Sequence, residues 1–205
     1  MANLNTTHSE HEEHTTTGLN HRKMLMWAFL GSDCMFFASL IATYVIYSGQ
    51  IVGGGPVPED VFSIPVTSVS TFVLLMSSMS MVLAYSALVR GQIKNFQIWI
   101  LSTAFLGMTF IGFQVFEFRD FVLHGLTPKT NLFGSTFFVL TGFHGAHVTL
   151  GIIWLLSLYF FSLRGGVTPE RHLDVDLAAL YWHFVDVVWI VIFTVVYLLG
   201  VFPGI

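Results

Sequence analysis

The sequence predicts an all-α integral membrane bundle of five transmembrane helices, and three observations carry that expectation. Hydrophobic residues make up 54% of the 205 and charged residues only 10%, with a mean hydropathy of +0.74, too apolar for a surface that must meet water. Five apolar stretches run approximately from Met24 to Tyr47, Val66 to Val89, Phe96 to Phe116, Phe133 to Leu163 and Leu177 to Val201. Each reaches the roughly 20 residues that cross a bilayer as a helix. None alternates polar with apolar residues, the pattern of a membrane β-barrel strand. A chain this short cannot bury such runs inside a water-soluble globule, so the solvent must be hydrocarbon.

Along the chain, residues 1–23 are polar, with His8, His11, His14 and His21 among Glu10, Glu12 and Glu13. With no apolar period, they predict a disordered His-rich cytoplasmic tail, solvated rather than metal-binding. The stretch after Arg22 and Lys23 is long enough to span and ends at no small-residue cleavage site, so it is expected as a retained helix and not as a signal peptide. Gly53, Gly54, Gly55, Pro56, Pro58 and Pro65 break the first connection, Pro128 the third, and Gly165, Gly166 and Pro169 the fourth. Trp27, Tyr47, Trp99 and Tyr197 stand near predicted span ends, where amphipathic rings favour the interface. Cys34, the single cysteine, is expected as a small apolar filler.

Basic residues divide unequally between the two sides. Arg22, Lys23, Arg90, Lys94, Arg164 and Arg171 fall on one, against Lys129 and Arg119 on the other. Lys and Arg near span ends are retained in the cytoplasm, which places the N-terminus inside and, after five spans, the C-terminus outside. The net charge of -4 and the lack of a basic tract exclude nucleic acid as a partner. There is no internal repeat.

Ionisable residues within the spans are the candidate functional residues: Asp33, His144, His147, His183 and Asp186, with Glu117 at a span end. A charge at the bilayer centre costs about 2.5–3.5 kcal/mol on insertion scales, so these groups are expected protonated or paired. At about 1.5 Å of rise per residue, Asp33 and Asp186 lie roughly 13 Å into their spans and His183 roughly 9 Å, which predicts a buried polar cluster joining the first and last helices. His144 and His147 sit three apart in TGFHGAHVTLG. They either ligate a metal or haem, or hydrogen-bond neighbouring helices while Gly142, Gly145, Ala146 and Gly151 let backbones approach. No Cys or carboxylate set completes a metal site, which favours the second reading. Glu117 lies beside Arg119 and Asp120, so an interfacial carboxylate paired with a nearby base is an equal alternative to a buried one. The hydroxyls of LLMSSMSMVLAYS are expected to bond to their own preceding turns. No nucleophile beside a base, phosphate loop or nucleotide fingerprint occurs, so no catalytic site is expected within the chain.

Four stretches, GSDCMFFASLIATY, GFQVFEF, TGFHGAHVTLG and YWHFVDVVWIVIFTVVYLLG, resemble subunit III of the haem-copper terminal oxidases over nearly all five spans. Where cytochrome c oxidases of that family usually carry Glu after the Ser of the first motif, Asp33 follows Ser32 here. With the His-rich tail and the GGGPVPEDVFSIP connection, this looks most like the cytochrome o ubiquinol oxidase branch; a bacterial cytochrome c oxidase is the alternative.

The resemblance implies a cofactor-free, non-catalytic subunit of a proton-pumping complex in a bacterial inner membrane. Haems and copper would reside in subunit I, on which this chain would pack, with subunits II and IV as further partners and phospholipids bound. Asp33, Glu117, His144, His147, His183 and Asp186 match the family's internal polar positions, with a structural, lipid-related or proton-uptake role. An independent transporter and a haem-binding membrane anchor are the competing classes.

Overall fold

The computed structural model describes residues 20–48 and 64–199, with the side chain of Glu170 set aside. The described chain is helical: α1 (His21–Ser48), α2 (Ile64–Val89), α3 (Ile93–Leu123), α4 (Leu132–Leu163), a 3-10 turn (Pro169–Arg171), α5 (Leu173–Ile192) and a π-helical turn continuing α5 (Phe193–Leu198). Five of these segments, counting α5 with its π turn, are long and apolar enough to cross a bilayer. Residues 1–19, most of the expected tail, and Gly200 and Val201, the end of the last expected span, lie outside the described residues.

The helix bounds follow local chemistry. α1 takes in His21, Arg22 and Lys23, which the sequence left in the tail, and the two basic side chains find partners: Arg22 Nη2 meets Asp174 Oδ1 at 2.5 Å and Lys23 Nζ meets Asp176 Oδ2 at 2.7 Å. Asp174 and Asp176 occupy the first turn of α5, where carboxylates also face the positive end of the helix dipole. The turn between α2 and α3 is only Arg90 to Gln92, closed by Gly91 at φ +74, a conformation that side-chain-bearing residues avoid. Asn131 starts α4, its side-chain oxygen accepting the Gly134 N–H at 2.7 Å.

The helices form a ring in the order α1, α4, α3, α2, α5, with α4 and α5 also touching across its middle. Contacts between chain turns show which ends coincide. The ion pairs join the starts of α1 and α5, Gln97 bonds Ser162 at 2.9 Å, and Tyr85 meets the His172 ring at 6.2 Å. Arg22, Lys23, Arg90, Lys94, Arg164 and Arg171 therefore gather at one end of the bundle. The outer surface is apolar on every helix, with Leu25, Phe105, Val139 and Val187 among its exposed residues, as expected where the surrounding solvent is lipid.

Candidate functional site

The interior polar residues form contacts between helices, and the densest set joins α2 to α5. Trp182 Nε1 donates to Ser77 Oγ at 3.0 Å, and Trp189 Nε1 donates to Thr71 Oγ1 at 3.0 Å. Between them the Ser78 hydroxyl and His183 Nδ1 are hydrogen-bonded at 2.7 Å. Residues seven apart lie on one helical face, and Thr71 and Ser78 on α2 and Trp182 and Trp189 on α5 are so spaced, which lines up an antiparallel ladder down one seam. A buried indole needs an acceptor. Ser77 and Thr71 supply one while donating their own hydrogens to Leu74 O and Thr67 O in the preceding turn. In LLMSSMSMVLAYS, Ser77 bonds to its own turn as expected, whereas Ser78 pairs with His183 of α5 and the Ser80 hydroxyl donates to Trp99 O of α3 at 3.0 Å.

Trp182 reaches this seam because α3 and α4 leave room for its ring. A Cβ placed on Gly107 would stand 2.6 Å from Trp182 Cη2, and one on Gly151 would stand 2.8 Å from Cζ3. Gly145 likewise admits the Gln114 amide, whose Nε2 donates to Thr141 O at 2.7 Å. Gly145 and Gly151 therefore admit side chains rather than neighbouring backbones, while Gly142 meets nothing within 4 Å and Ala146 lies exposed.

His144 is fully buried, stacked on Trp189 with centroids 4.9 Å apart and bordered edge-on by Phe110 at 5.9 Å. Among the described residues, neither of its ring nitrogens has a hydrogen-bond partner. His147, three residues on, turns to α1 instead: its Nε2 lies 3.4 Å from Asp33 Oδ1, while its Nδ1 bonds to Phe143 O at 2.7 Å. With Nδ1–H donating to the carbonyl, one proton must lie between Nε2 and the carboxyl for the pair to bond, on either partner. Phe37 covers His147 at 5.0 Å, and the Tyr181 hydroxyl donates to His147 O at 3.0 Å, so α1, α4 and α5 meet here.

The expected cluster joining the first and last helices is therefore replaced by separate contacts. Asp33 pairs with His147 of α4, and His183 with Ser78 of α2. Asp186 is buried at 3% exposure, and among the described residues neither carboxyl oxygen has a hydrogen-bond partner at bonding geometry, although the Ser78 hydroxyl is close enough to act on it. Equal depth did not bring these groups together because their helical faces differ: α1 turns Asp33 toward α4.

Glu117 is buried and accepts a hydrogen bond from Thr67 of α2, rather than pairing with a base at the interface. The Tyr197 hydroxyl is close enough to the same Thr67 to act on it. Tyr197, expected at the interface, is instead 1% exposed, with Phe193 at 5.8 Å and Phe137 at 6.3 Å. A π turn advances less rotation per residue than an α turn, and the turn at Phe193–Leu198 carries this ring inward. Cys34, expected as a filler, faces outward.

Sequence reasoning missed Thr67, Thr71, Ser77, Ser78 and Gln114 as partners. The available signal was a run of hydroxyls in α2, with Thr71 and Ser78 seven apart, alongside the indoles Trp182 and Trp189 seven apart in α5 and His183 beside the first. Among the described residues, no three His, Cys, Asp or Glu side chains come together in the manner of metal ligands.

Comparison with known proteins identifies the family. The chain is 40% identical over 174 residues to quinol oxidase subunit 3 of Bacillus spizizenii, covering 85% of each chain. It is 40% identical over 175 residues to cytochrome bo(3) ubiquinol oxidase subunit 3 of Pseudomonas putida, covering 85% of this chain and 84% of that one. It is also 38% identical over 189 residues to cytochrome c oxidase subunit 3 of Bacillus sp. (strain PS3), covering 92% and 91%. The model of the family described as cytochrome c oxidase subunit III matches residues 1–201. With a match of that extent, the chain belongs to the cytochrome c oxidase subunit III family and is subunit III of a haem-copper oxidase.

Proposed function

We propose that this chain is the non-catalytic subunit III of a proton-pumping ubiquinol oxidase in a bacterial inner membrane. In that complex it packs on subunit I, which holds the haems and copper, alongside subunits II and IV, and it supports assembly and stability. The observation that carries this reading is how the interior polar groups are used. Trp182, His183, Trp189, Glu117, Asp33 and His147 each contact another helix of the same chain. Such contacts build a scaffold.

Two finer roles rest on particular places in the fold. A groove of about 560 Å³ between α1, α4 and α5, lined by Phe29, Leu150, Trp154 and Tyr181 with Arg22 at its edge, suits a phospholipid whose anionic headgroup meets the guanidinium. The Asp33–His147 pair, which can carry its proton on either partner, suits assistance to proton uptake. The six basic residues at one end favour a cytoplasmic N-terminus.

For the quinol branch, the support is Asp33, a shorter acid than the Glu usual in cytochrome c oxidases, together with relatives named as quinol oxidases. The test is purification of the complex from native membranes, followed by oxygen-uptake assays with ubiquinol and with reduced cytochrome c. Copurification with a haem-bearing subunit and turnover on ubiquinol are expected. A copper-bearing subunit II with turnover on cytochrome c moves the chain to the other branch, and absence of any haem-bearing partner removes the reading.

A further inference from the structure

The ring of helices leaves one side of α5 open. α1 and α2 flank it without packing substantially on each other, and between them α5 presents His183, Val187, Ile190 and Thr194, four residues at helical spacing that are half-buried or exposed. Three of these suit lipid or another helix equally: Val187 and Ile190 are apolar, and the Thr194 hydroxyl is satisfied by Ile190 O at 2.8 Å. His183 is different. Its Nδ1 is occupied by Ser78 at 2.7 Å, and among the described residues nothing is bonded to Nε2.

That nitrogen has something to exchange in either tautomer. If Ser78 donates to Nδ1, then Nε2 bears the hydrogen and needs an acceptor; if Nδ1–H donates to Ser78, Nε2 is a lone pair that needs a donor. Acyl chains offer neither, and a ring nitrogen turned to hydrocarbon without a partner is costly. Depth decides what can reach it. Asp174 and Asp176 hold the first turn of α5 at the charged end of the bundle, and His183, six residues beyond Leu177, stands about 9 Å into the span, well below the surface of a hydrocarbon layer about 30 Å thick. A lipid headgroup stays at the interface, whereas a polar side chain on a neighbouring transmembrane helix can stand at that level.

We propose that the open face of α5 around His183 is the surface on which a transmembrane helix of another oxidase subunit lies, with one of that helix's polar side chains hydrogen-bonded to His183 Nε2. This rests on the subunit reading above and names the face that reading uses. The β-branched ridge of Val187, Ile190 and Thr194 gives the partner helix a stiff apolar track on either side of the polar contact.

The test uses the whole oxidase in native membranes. A benzophenone-bearing amino acid replaces Val187 or Ile190, and in a comparison variant Phe105, an equally outward residue of α3. Illumination is expected to join this chain to another oxidase subunit from positions 187 and 190 and not from 105. Adducts with lipid alone, or with a second copy of this chain, from 187 and 190 overturn the proposal. A partner-subunit adduct from 105 with none from 187 and 190 overturns it too.

In parallel, His183→Leu is expected to lower the fraction of this chain kept in the complex through a detergent wash by about five- to tenfold, with His183→Gln retaining more. Unchanged retention of His183→Leu overturns the proposal. If the unaltered chain copurifies with a haem-bearing subunit while these results fail, the face is wrong and the subunit reading stands. If the unaltered chain copurifies with no such subunit, both fall.

Discussion

The Trp182 indole N–H donates to Ser77 Oγ at 3.0 Å while the ring edge lies where a Cβ on Gly107 or Gly151 would stand. One side chain thus joins α5 to α2 by a hydrogen bond and to α3 and α4 by contact with glycines. This explains why a ring 1% exposed sits in the interior without a stranded polar atom.

Gly151→Ala puts a methyl 2.8 Å from Trp182 Cζ3, in a place backed by the Tyr181 ring at 3.2 Å. The ring cannot retreat without losing its bond to Ser77, so a loss of about 1–3 kcal/mol is expected, in the range for overpacked cores. Unfolding by denaturing detergent measures it. The double variant Gly151→Ala with Trp182→Phe should recover part of that loss, and additive losses would rule out the collision.

Ser77→Ala removes the acceptor and leaves a buried indole N–H unpaired. Interhelical hydrogen bonds in membranes average about 0.6 kcal/mol, and the stranded donor raises the expected cost to about 1–2 kcal/mol. Tryptophan fluorescence during unfolding reports it. If Ser77→Ala costs as much in a Trp182→Phe background as in the unaltered chain, the bond carries no energy.

Asp33 and His147 should behave as a coupled pair. Asp33→Leu leaves an imidazole facing apolar neighbours, and His147→Leu leaves a carboxyl group, so the two single losses are expected to sum to more than the loss in the double variant. A coupling of about 0.5–3 kcal/mol is expected from a four-variant cycle of detergent unfolding. Additivity would mean that the 3.4 Å approach is incidental.

Among the described residues, neither buried oxygen of Asp186 has a hydrogen-bond partner at bonding geometry, so Asp186→Leu should leave the isolated chain as stable as before or more stable by up to about 1 kcal/mol. Thermal unfolding of the purified chain checks this. A loss above about 2 kcal/mol would show that the carboxyl is engaged, with the Ser78 hydroxyl as the first group to test.

The ion pairs at the basic end are a different case. Arg22 and Asp174 have side chains 60% and 45% exposed, so solvent screens them. Arg22→Gln is expected to cost at most about 1 kcal/mol, with the cost shrinking as salt is raised. A large, salt-independent loss in the same detergent assay would contradict this.

Much of the architecture could be read from residues alone because lipid makes the rules severe. A span must be helical, about 20 residues long and nearly free of charge, so Met24 to Tyr47 and the four later runs announce themselves by composition. The oxidase resemblance was legible for a similar reason: YWHFVDVVW packs five polar-tipped residues into an apolar helix, a combination that hydropathy disfavours. Partnership between those residues was not legible. Asp33 and Asp186 stand at similar depths, yet depth says nothing about azimuth, and the rotation of α1 against α4 sends Asp33 to His147. Tyr197 misled because its position near a span end suggests an interfacial ring, whereas a π turn of six residues rolls it into the core.

Which residues enter the bilayer, how many times the chain crosses and which ends carry the basic charge were settled by local composition, because transfer from water to hydrocarbon acts on each segment separately. Which hydroxyl meets which indole, which histidine receives Asp33 and which acid is left unpaired were settled by packing. Those outcomes depend on the relative rotation of helices far apart in the chain, and that rotation is set by where a glycine admits a ring.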